Sequence, residues 1–131
     1  MGRHPVVAID GPSGSGKTTS AREVARRLGF QYVDSGALYR AVALAASEAG
    51  INSAEDPGLD ALLADLLVRG EPRGSAFRVY LGTREVTESL REPSVTALAS
   101  RLAVDARVRA CVGRCVRGLA GAERAWWRDA T

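Results

Sequence analysis

The first part of the chain alternates short apolar runs with helical patterns. Residues 5–10 (PVVAID) form an apolar run typical of a buried parallel strand, although a run this short does not by itself distinguish a strand from a buried helix segment. A loop rich in glycine and serine follows, and after it apolar residues recur at helical spacing up to Gly29. Residues 30–33 predict a second strand, and residues 37–49 predict a helix that ends at Gly50. This order predicts the opening of a doubly wound α/β sheet.

The middle of the chain has a different pattern. Residues 60–68 predict a short helix, and residues 71–75 predict a polar loop. Residues 77–81 alternate between apolar and polar side chains, which predicts a strand that enters a turn at Gly82. Apolar residues for one or two further helices are Val86, Leu90, Val95, Leu98, Leu102 and Val108. No internal repeat or separate linker divides the 131 residues, so we expect a single domain.

Composition and charge exclude several classes of protein. Hydrophobic residues make up 46% and charged residues 25% of the chain, which excludes a collagen-like, low-complexity or wholly disordered protein. No apolar run approaches the roughly 20 residues of a membrane-spanning helix. The chain also begins without the pattern of a secretory signal, so we expect a cytoplasmic protein with no membrane partner. The net charge of +3 is too small to indicate nucleic-acid binding, and no obligate protein partner is indicated.

Cys111 and Cys115 stand four residues apart in a predicted helix. In a reducing compartment such residues are expected to act as small buried hydrophobic side chains. A metal site would need further ligands nearby, and the only histidine, His4, lies far away in the sequence.

The segment GPSGSGKT, residues 11–18, matches the phosphate-binding loop pattern at its four fixed positions, Gly11, Gly16, Lys17 and Thr18. Glycines allow successive backbone N–H groups to converge on phosphate oxygens, and the helix that follows adds unpaired amides and the positive end of its dipole. The Lys17 ammonium group is expected on the β- and γ-phosphates of ATP, and the Thr18 hydroxyl on Mg²⁺. All but one of the 18 basic residues are arginine, and the single lysine stands in this loop.

This loop predicts an ATP site with Lys17 as the catalytic residue and Thr18 as the Mg²⁺ ligand. The predicted ATP-binding residues are Gly11, Pro12, Ser13, Gly14, Ser15, Gly16, Lys17, Thr18 and Thr19. The alternative is a flexible turn between a strand and a helix, but such a turn has no need of lysine followed by threonine. The loop indicates nucleotide binding without identifying the phosphate acceptor.

Two segments indicate the acceptor through a resemblance. The stretch AIDGPSGSGKTT, followed by FQYVDSGALYRAVAL, resembles the bacterial cytidylate kinase family of nucleoside monophosphate kinases. The segment VYLGTREVTESLREPSVTALASRLA is similar to the insert of that family, which covers the pyrimidine nucleotide. The insert is the more specific of the two, because adenylate, shikimate and guanylate kinases share the phosphate-binding loop but not this segment. The similarity runs from about Val7 to Arg117.

The resemblance implies a fold, a reaction and a set of contacts. The fold is a P-loop nucleoside-triphosphate-hydrolase-like α/β domain, a parallel sheet with helices on both faces, plus an insert for the nucleoside monophosphate at about residues 58–105. The reaction is transfer of the ATP γ-phosphoryl group to CMP or dCMP, driven by positioning and charge neutralisation rather than by a nucleophilic side chain. The implied CMP contacts are Ser35, Arg40, Arg91, Ser100 and Arg109. Another small P-loop kinase, such as a shikimate kinase, is the alternative against which the insert argues.

The residues themselves support an anionic acceptor and leave alternatives open. Residues 34–36 (Asp-Ser-Gly) stand at the carboxyl end of the second predicted strand, where open α/β sheets bind ligands. Arg40, in the following helix, is able to bind a phosphate with two N–H groups. Ser35 is alternatively a helix cap, and Arg40 and Arg109 are alternatively solvated helix residues. Two other arginines are expected at the surface, Arg101 and Arg107.

The chain also departs from the family. Ala97 stands where the family has an amide side chain, which removes one expected contact with the base. The resemblance requires a third strand with a Gly-Arg-Asp motif after the helix of Arg109, then an arginine-bearing lid and a final strand and helix, and none of these is present. The two predicted strands would lack the neighbour that lies between them. We therefore expect an incomplete domain with little or no kinase activity, or a non-catalytic nucleotide-binding remnant.

Residues 118–131 form an atypical tail, which translation in another reading frame explains. The codons of Trp126 and Trp127 have no alternative. If residues 125–130 are encoded by GCG TGG TGG AGG GAC GCG, the bases read two positions later, on into the codon of Thr131, give Val-Val-Glu-Gly-Arg-Asp, which resembles the third strand of the family. The alternative is a genuine tail whose tryptophans cap a small core. A CGN codon at Arg128 would contradict the frameshift hypothesis.

Overall fold

The computed structural model describes residues 6–9, 23, 27, 31–73 and 76–121. In chain order the described elements are β1 (Val6–Ile9), β2 (Gln31–Asp34), α1 (Ser35–Glu48), α2 (Leu59–Asp65), β3 (Val68–Arg73), β4 (Ala76–Leu81), β5 (Arg84–Glu85), a 3₁₀ turn (Ser89–Arg91), α3 (Pro93–Leu102) and α4 (Ala106–Gly121). The predicted ATP-binding residues, 11–19, lie outside this part of the chain. Glu23 and Arg27 are helical and joined by an ion pair of 2.6 Å, which agrees with the helix predicted after the loop.

The two strands at the start of the chain form a parallel pair. β1 and β2 are in register from Val6 opposite Gln31 to Ile9 opposite Asp34. The third strand expected between them is not among the described elements, and the expectation of unpaired backbone groups is wrong where β1 and β2 face each other, because their N–H and C=O groups pair directly. The described residues show a mixed helix and strand architecture, and the extended parallel sheet with helices on both faces stays a prediction.

The larger of the two described sheets is antiparallel, with the strand order β3, β4, β5. The polar loop predicted at residues 71–75 is wrong at residues 71–73, because β3 continues to Arg73 and is paired with β4, whereas residues 74 and 75 lie outside the described residues. Pro72 is tolerated there because β3 is an edge strand of this sheet. The helix predicted at residues 60–68 is shorter than expected, since α2 ends at Asp65 and Val68 already opens β3.

Helix α1 confirms the prediction of a helix that ends at Gly50. The helix starts two residues earlier than predicted, because the Asp34 carboxylate at the end of β2 caps it by accepting a hydrogen bond from Ala37 N at 3.0 Å. Ser35 is the first helical residue, so the alternative in which Ser35 is the cap is wrong. Gly50 follows the helix with φ of 78°, a left-handed conformation that favours glycine.

Helix α1 lies at the centre of the core. It packs against α3, α4 and the antiparallel sheet, and its buried residues are Ala37, Leu38, Ala41, Val42, Ala43, Ala45 and Ala46. All six apolar positions predicted for the later part of the chain are buried, which confirms that expectation. At the surface, the Arg84 guanidinium donates to both carboxylate oxygens of Glu48, at 2.6 and 3.0 Å, and joins β5 to the end of α1.

Arg107 is an anchor between elements rather than a free surface residue. Its guanidinium donates to Asp60 Oδ1 of α2 at 2.8 Å, to the Ala54 carbonyl at 2.9 Å and to the Asp105 carboxylate at 2.8 and 3.0 Å. The predicted surface position is confirmed for both Arg107, whose side chain is 41% exposed, and Arg101, and the contacts of Arg107 with Asp60 and Asp105 add to what was predicted.

The cysteines confirm their predicted place in a helix, α4. Cys111 is buried, Cys115 is half-buried, and both are free thiols whose pKa burial raises. Within the described ranges, the structure contains no cluster of three potential metal-binding side chains. No described helix has the length and apolar character needed to cross a bilayer. Residues 118–121 continue α4 and residues 122–131 lie outside the described part, so the frameshift hypothesis stays a prediction.

Candidate functional site

A cavity of about 300 Å³ opens between the start of α1, strand β4 and the segment from Thr87 to Thr96. The described residues that line it are Asp34, Ala37, Arg40, Phe77, Val79, Thr87, Leu90, Arg91 and Thr96. Two of the predicted CMP contacts, Arg40 and Arg91, therefore lie on one cavity although they are far apart in the sequence. We call this volume the acceptor cavity.

Helix α1 supplies the fixed charges of the acceptor cavity. Asp34, Ala37 and Arg40 follow one another at intervals of three residues, which places them on one face of the helix start. The Arg40 side chain is 22% exposed and its Nη2 lies 3.8 Å from Asp34 Oδ2. At that distance the two groups attract each other without a short hydrogen bond. The guanidinium is thus held beside the cavity with N–H groups that are available to an anion.

Gly36 stands in the first turn of α1, and the crowded space around it explains the absence of a side chain. A Cβ atom at this position would lie 3.2 Å from Asp34 Oδ1 and 3.4 Å from Arg40 Nη1. The first distance is tighter than ordinary van der Waals contact, and the second is at its lower limit. The glycine therefore lets the carboxylate and the guanidinium lie close to the backbone of the helix start. The Asp-Ser-Gly sequence places these two groups as well as capping the helix.

The opposite part of the acceptor cavity is an apolar wall. Phe77 and Val79 alternate along β4, so their side chains share one face of the strand. They are 6% and 0% exposed, and the wall is completed by the buried Ala37 and Leu90. An apolar wall facing charged groups suits a ligand that has both a flat apolar surface and an anionic group.

The polar side chains at the other side of the cavity differ in whether they already have hydrogen-bond or ion-pair partners. The Thr87 hydroxyl accepts from Val79 N and donates to Glu85 Oε2, both at 3.0 Å, so it is already paired. Arg91 is 77% exposed, with Nε 3.7 Å from Glu88 Oε1. The half-buried Thr96 has a hydroxyl with no side-chain partner among the described residues.

Charge on the cavity lining favours an anionic ligand. Two guanidinium groups, of Arg40 and Arg91, face one carboxylate, of Asp34. The Arg40 guanidinium, 22% exposed, lies beside the apolar wall, where water screens its charge less than on an open surface, whereas the 77% exposed Arg91 is screened by water.

Three predicted CMP contacts are not among the described residues that line the acceptor cavity. Ser35 is the half-buried first residue of α1. Ser100 is exposed on α3, one turn beyond Thr96 on the same helix face. Arg109 is exposed on α4, and its Nη1 donates to the Val104 carbonyl at 3.2 Å. Their contact with CMP stays a prediction, as does that of the ATP-binding loop with its ligand.

Sequence reasoning missed the apolar wall and one hydroxyl group. The alternation along β4 placed Phe77 and Val79 on one face, but nothing in that pattern shows what the face covers. Thr96 lies beside the exposed Ala97, the position where the resemblance expected an amide. The hydroxyl of Thr96, next to the departure at Ala97, was the signal by which Thr96 could have been identified as a candidate site residue.

Comparisons with known proteins identify the family. A family model described as cytidylate kinase matches residues 7–125. The chain is similar to the cytidylate kinase of Syntrophotalea carbinolica, 40% identical over 86% of this chain and 48% of that protein, and to that of Polynucleobacter asymbioticus, 45% identical over 86% and 49%. It is 44% identical to the bifunctional pantoate ligase/cytidylate kinase of Synechococcus sp. strain CC9311 over 86% of this chain and 23% of that protein. The chain spans about half the length of the two cytidylate kinases. The chain belongs to the cytidylate kinase family.

Proposed function

We propose that this protein transfers the γ-phosphoryl group of ATP to CMP or dCMP, and that the acceptor nucleotide binds in the acceptor cavity. The observation that carries the proposal is the meeting of Arg40 and Arg91 on one cavity whose opposite wall is apolar. The family match over residues 7–125 supports the same reaction. We further propose that β1 and β2 belong to a P-loop-type parallel sheet.

In this proposal the acceptor is held at two ends. The phosphate of CMP binds the guanidinium groups of Arg40 and Arg91, which form charge-assisted hydrogen bonds with phosphate oxygens. The pyrimidine ring lies against Phe77 and Val79, which exclude water from its faces. The Thr96 hydroxyl is then available to a polar edge of the nucleotide.

The donor is held by residues 11–19 in this proposal, with Lys17 on the β- and γ-phosphates. Mg²⁺ bound with ATP, with Thr18 as its proposed protein ligand, would supply further neutralisation of phosphate charge. A phosphate oxygen of CMP forms the new bond to the γ-phosphorus, the bond from that phosphorus to the β,γ-bridging oxygen breaks, and ADP leaves. The side chains contribute by orienting both nucleotides and stabilising charge rather than by covalent chemistry.

The role of Arg40 is tested by measuring CMP and ATP binding to the chain by titration calorimetry. Arg40→Met is expected to weaken CMP binding by about tenfold or more, since it removes a charge-assisted phosphate contact, and to leave ATP binding unchanged. The matched control is Arg78→Met, which changes the net charge equally at an exposed position of β4 on the face opposite Phe77. Equal CMP affinity in Arg40→Met and the parent chain would contradict the proposed cavity.

Turnover distinguishes the kinase from the alternatives. An assay of ADP release with ATP–Mg²⁺ is run with CMP, with dCMP and with shikimate as acceptors. CMP-dependent ADP release supports the proposed reaction in this chain. Binding of both nucleotides without ADP release supports the non-catalytic nucleotide-binding alternative, and release that depends on shikimate overturns the nucleotide assignment.

A further inference from the structure

Gly70 lies in β3 where a glycine is not required by the backbone. Its φ is not among the left-handed values of the described glycines, which belong to Gly50 and Gly82. Glycine inside a strand weakens it, because the backbone loses more freedom on folding and no side chain packs. Because the backbone conformation does not require glycine at position 70, we expect that the limited space around its Cα atom requires it.

The space beside Gly70 is occupied by the ring of Phe77. Gly70 pairs with Val79 and Phe77 pairs with Pro72, so Gly70 and Phe77 are diagonal neighbours on one face of the β3–β4 pair. A Cβ atom at Gly70 would overlap Cζ of Phe77 and would lie 2.9 Å from its Cε1. The aromatic ring therefore covers the bare backbone of Gly70, an arrangement that compensates a strand glycine.

Phe77 is also part of the apolar wall of the acceptor cavity. With a side chain at position 70 the ring loses its present place against β3 and must shift. The ring also borders the acceptor cavity of about 300 Å³, so a shift of the ring changes that volume. The residue at position 70, which is not itself among the described lining residues, thereby controls how far the ring projects into that volume.

We propose that Gly70 is a specificity-determining position for the acceptor nucleotide, which acts through Phe77 by setting the depth of the acceptor cavity. This inference rests on the proposed function, because it takes CMP as the occupant. Gly70 is a positioning residue, since the ring of Phe77 rather than Gly70 meets the ligand. In this proposal a small base is accepted because the tip of the Phe77 ring lies against Gly70, and larger bases are restricted by the same ring.

The test combines four variants and two ligands. Gly70→Ala, Phe77→Leu, their double variant and Gly118→Ala are compared by calorimetric titration with CMP and with ATP. Gly118→Ala is the matched control, because a Cβ atom at that exposed glycine meets nothing within 4 Å. Gly70→Ala is expected to weaken CMP binding by about tenfold through overpacking, with ATP binding unchanged. Adding Phe77→Leu is expected to restore CMP binding to within about threefold of the Phe77→Leu single variant, because the two sites are coupled.

The relative binding of AMP and CMP distinguishes the proposed role from a purely structural one, because a structural role would leave this selectivity unchanged. Phe77→Ala is expected to raise AMP binding relative to CMP binding, because it deepens the cavity. The inference is overturned if a folded Gly70→Ala chain binds CMP like the parent chain, or if Gly70→Ala fails to fold and Phe77→Leu does not rescue it. Absence of CMP binding in the parent chain would instead contradict the proposed function, so the two failures are distinguishable.

Discussion

At the scale of single residues, two threonines on the same cavity have different roles. The Thr87 hydroxyl extends the antiparallel sheet, because it accepts the Val79 N–H and donates to Glu85. The Thr96 hydroxyl has no such partner within the described part of the chain. A buried donor that is already paired gains little from a ligand, whereas an unpaired one gains a hydrogen bond. Thr96 is therefore the threonine expected to respond to CMP.

Replacing each threonine by valine, which has nearly the same shape, separates these roles. Thr96→Val is expected to weaken CMP binding by about threefold to tenfold, the contribution of one net hydrogen bond, with little change in stability. Thr87→Val is expected to lower the free energy of unfolding by about 1–3 kcal/mol, because the part-buried Val79 N–H loses its partner. Calorimetric titration measures the affinities and urea unfolding the stabilities. Unchanged CMP affinity in Thr96→Val would exclude the hydroxyl as a contact.

At the scale of elements, patterns that repeat along the chain are predictable and pairings between distant segments are not. Helix α1 was predicted to within two residues, because its buried alanines recur at helical spacing and Gly50 ends it. Strand β3 was missed, because Gly70 and Pro72 disfavour a strand, and pairing with β4 and packing against distant elements stabilise it instead. Arg107 lies at the surface as predicted, but its contact with Asp60, 47 residues away, was not predicted for the same reason.

The Arg107 anchor predicts a dependence of stability on pH. Hydrogen bonds from the Arg107 side chain lower the pKa of Asp105 from 3.8 to about 2. Because the pKa is lower in the folded state, ionised Asp105 stabilises the fold above about pH 4, and this contribution is lost as the pH falls from about 4 to 2. Arg107→Ala is expected to lower the urea midpoint at pH 7 and to flatten its fall over that interval.

The control for this prediction is Arg101→Ala, which removes the same charge from an exposed position of α3. The pKa values of Glu48 and Glu71 are also lowered, by hydrogen bonds from Arg84 and Arg73, but these pairs are the same in both variants. A difference between the two variants below pH 4 therefore reports the contacts of Arg107, among which the pair with Asp105 has the lowered pKa. Parallel pH profiles for the parent chain and Arg107→Ala would contradict the assigned role of the pair.

At the scale of the whole molecule, the sequence predicted two binding sites but not the shape of the acceptor cavity. The phosphate-binding loop was recognisable because its residues are consecutive, and Arg40 and Arg91 because the family resemblance marks them. The apolar wall of Phe77 and Val79 forms only when β4 packs near the start of α1, so local patterns did not reveal it. The acceptor cavity depends on tertiary packing, whereas the proposed donor site depends on one loop.

Because the two proposed sites are separate, we expect different substitutions to weaken the binding of ATP and the binding of CMP. Lys17→Ala is expected to weaken ATP binding by at least about tenfold, because a charge-assisted contact with the phosphates is lost, and to leave CMP binding within about twofold of the parent chain. Arg40→Met is expected to show the reverse pattern, since Arg40 lines the acceptor cavity. Each variant thus serves as the folding control of the other, because each must retain one ligand. Loss of both ligands in either folded variant would mean that ATP and CMP share one site, and unchanged ATP affinity in Lys17→Ala would remove the basis for the kinase assignment.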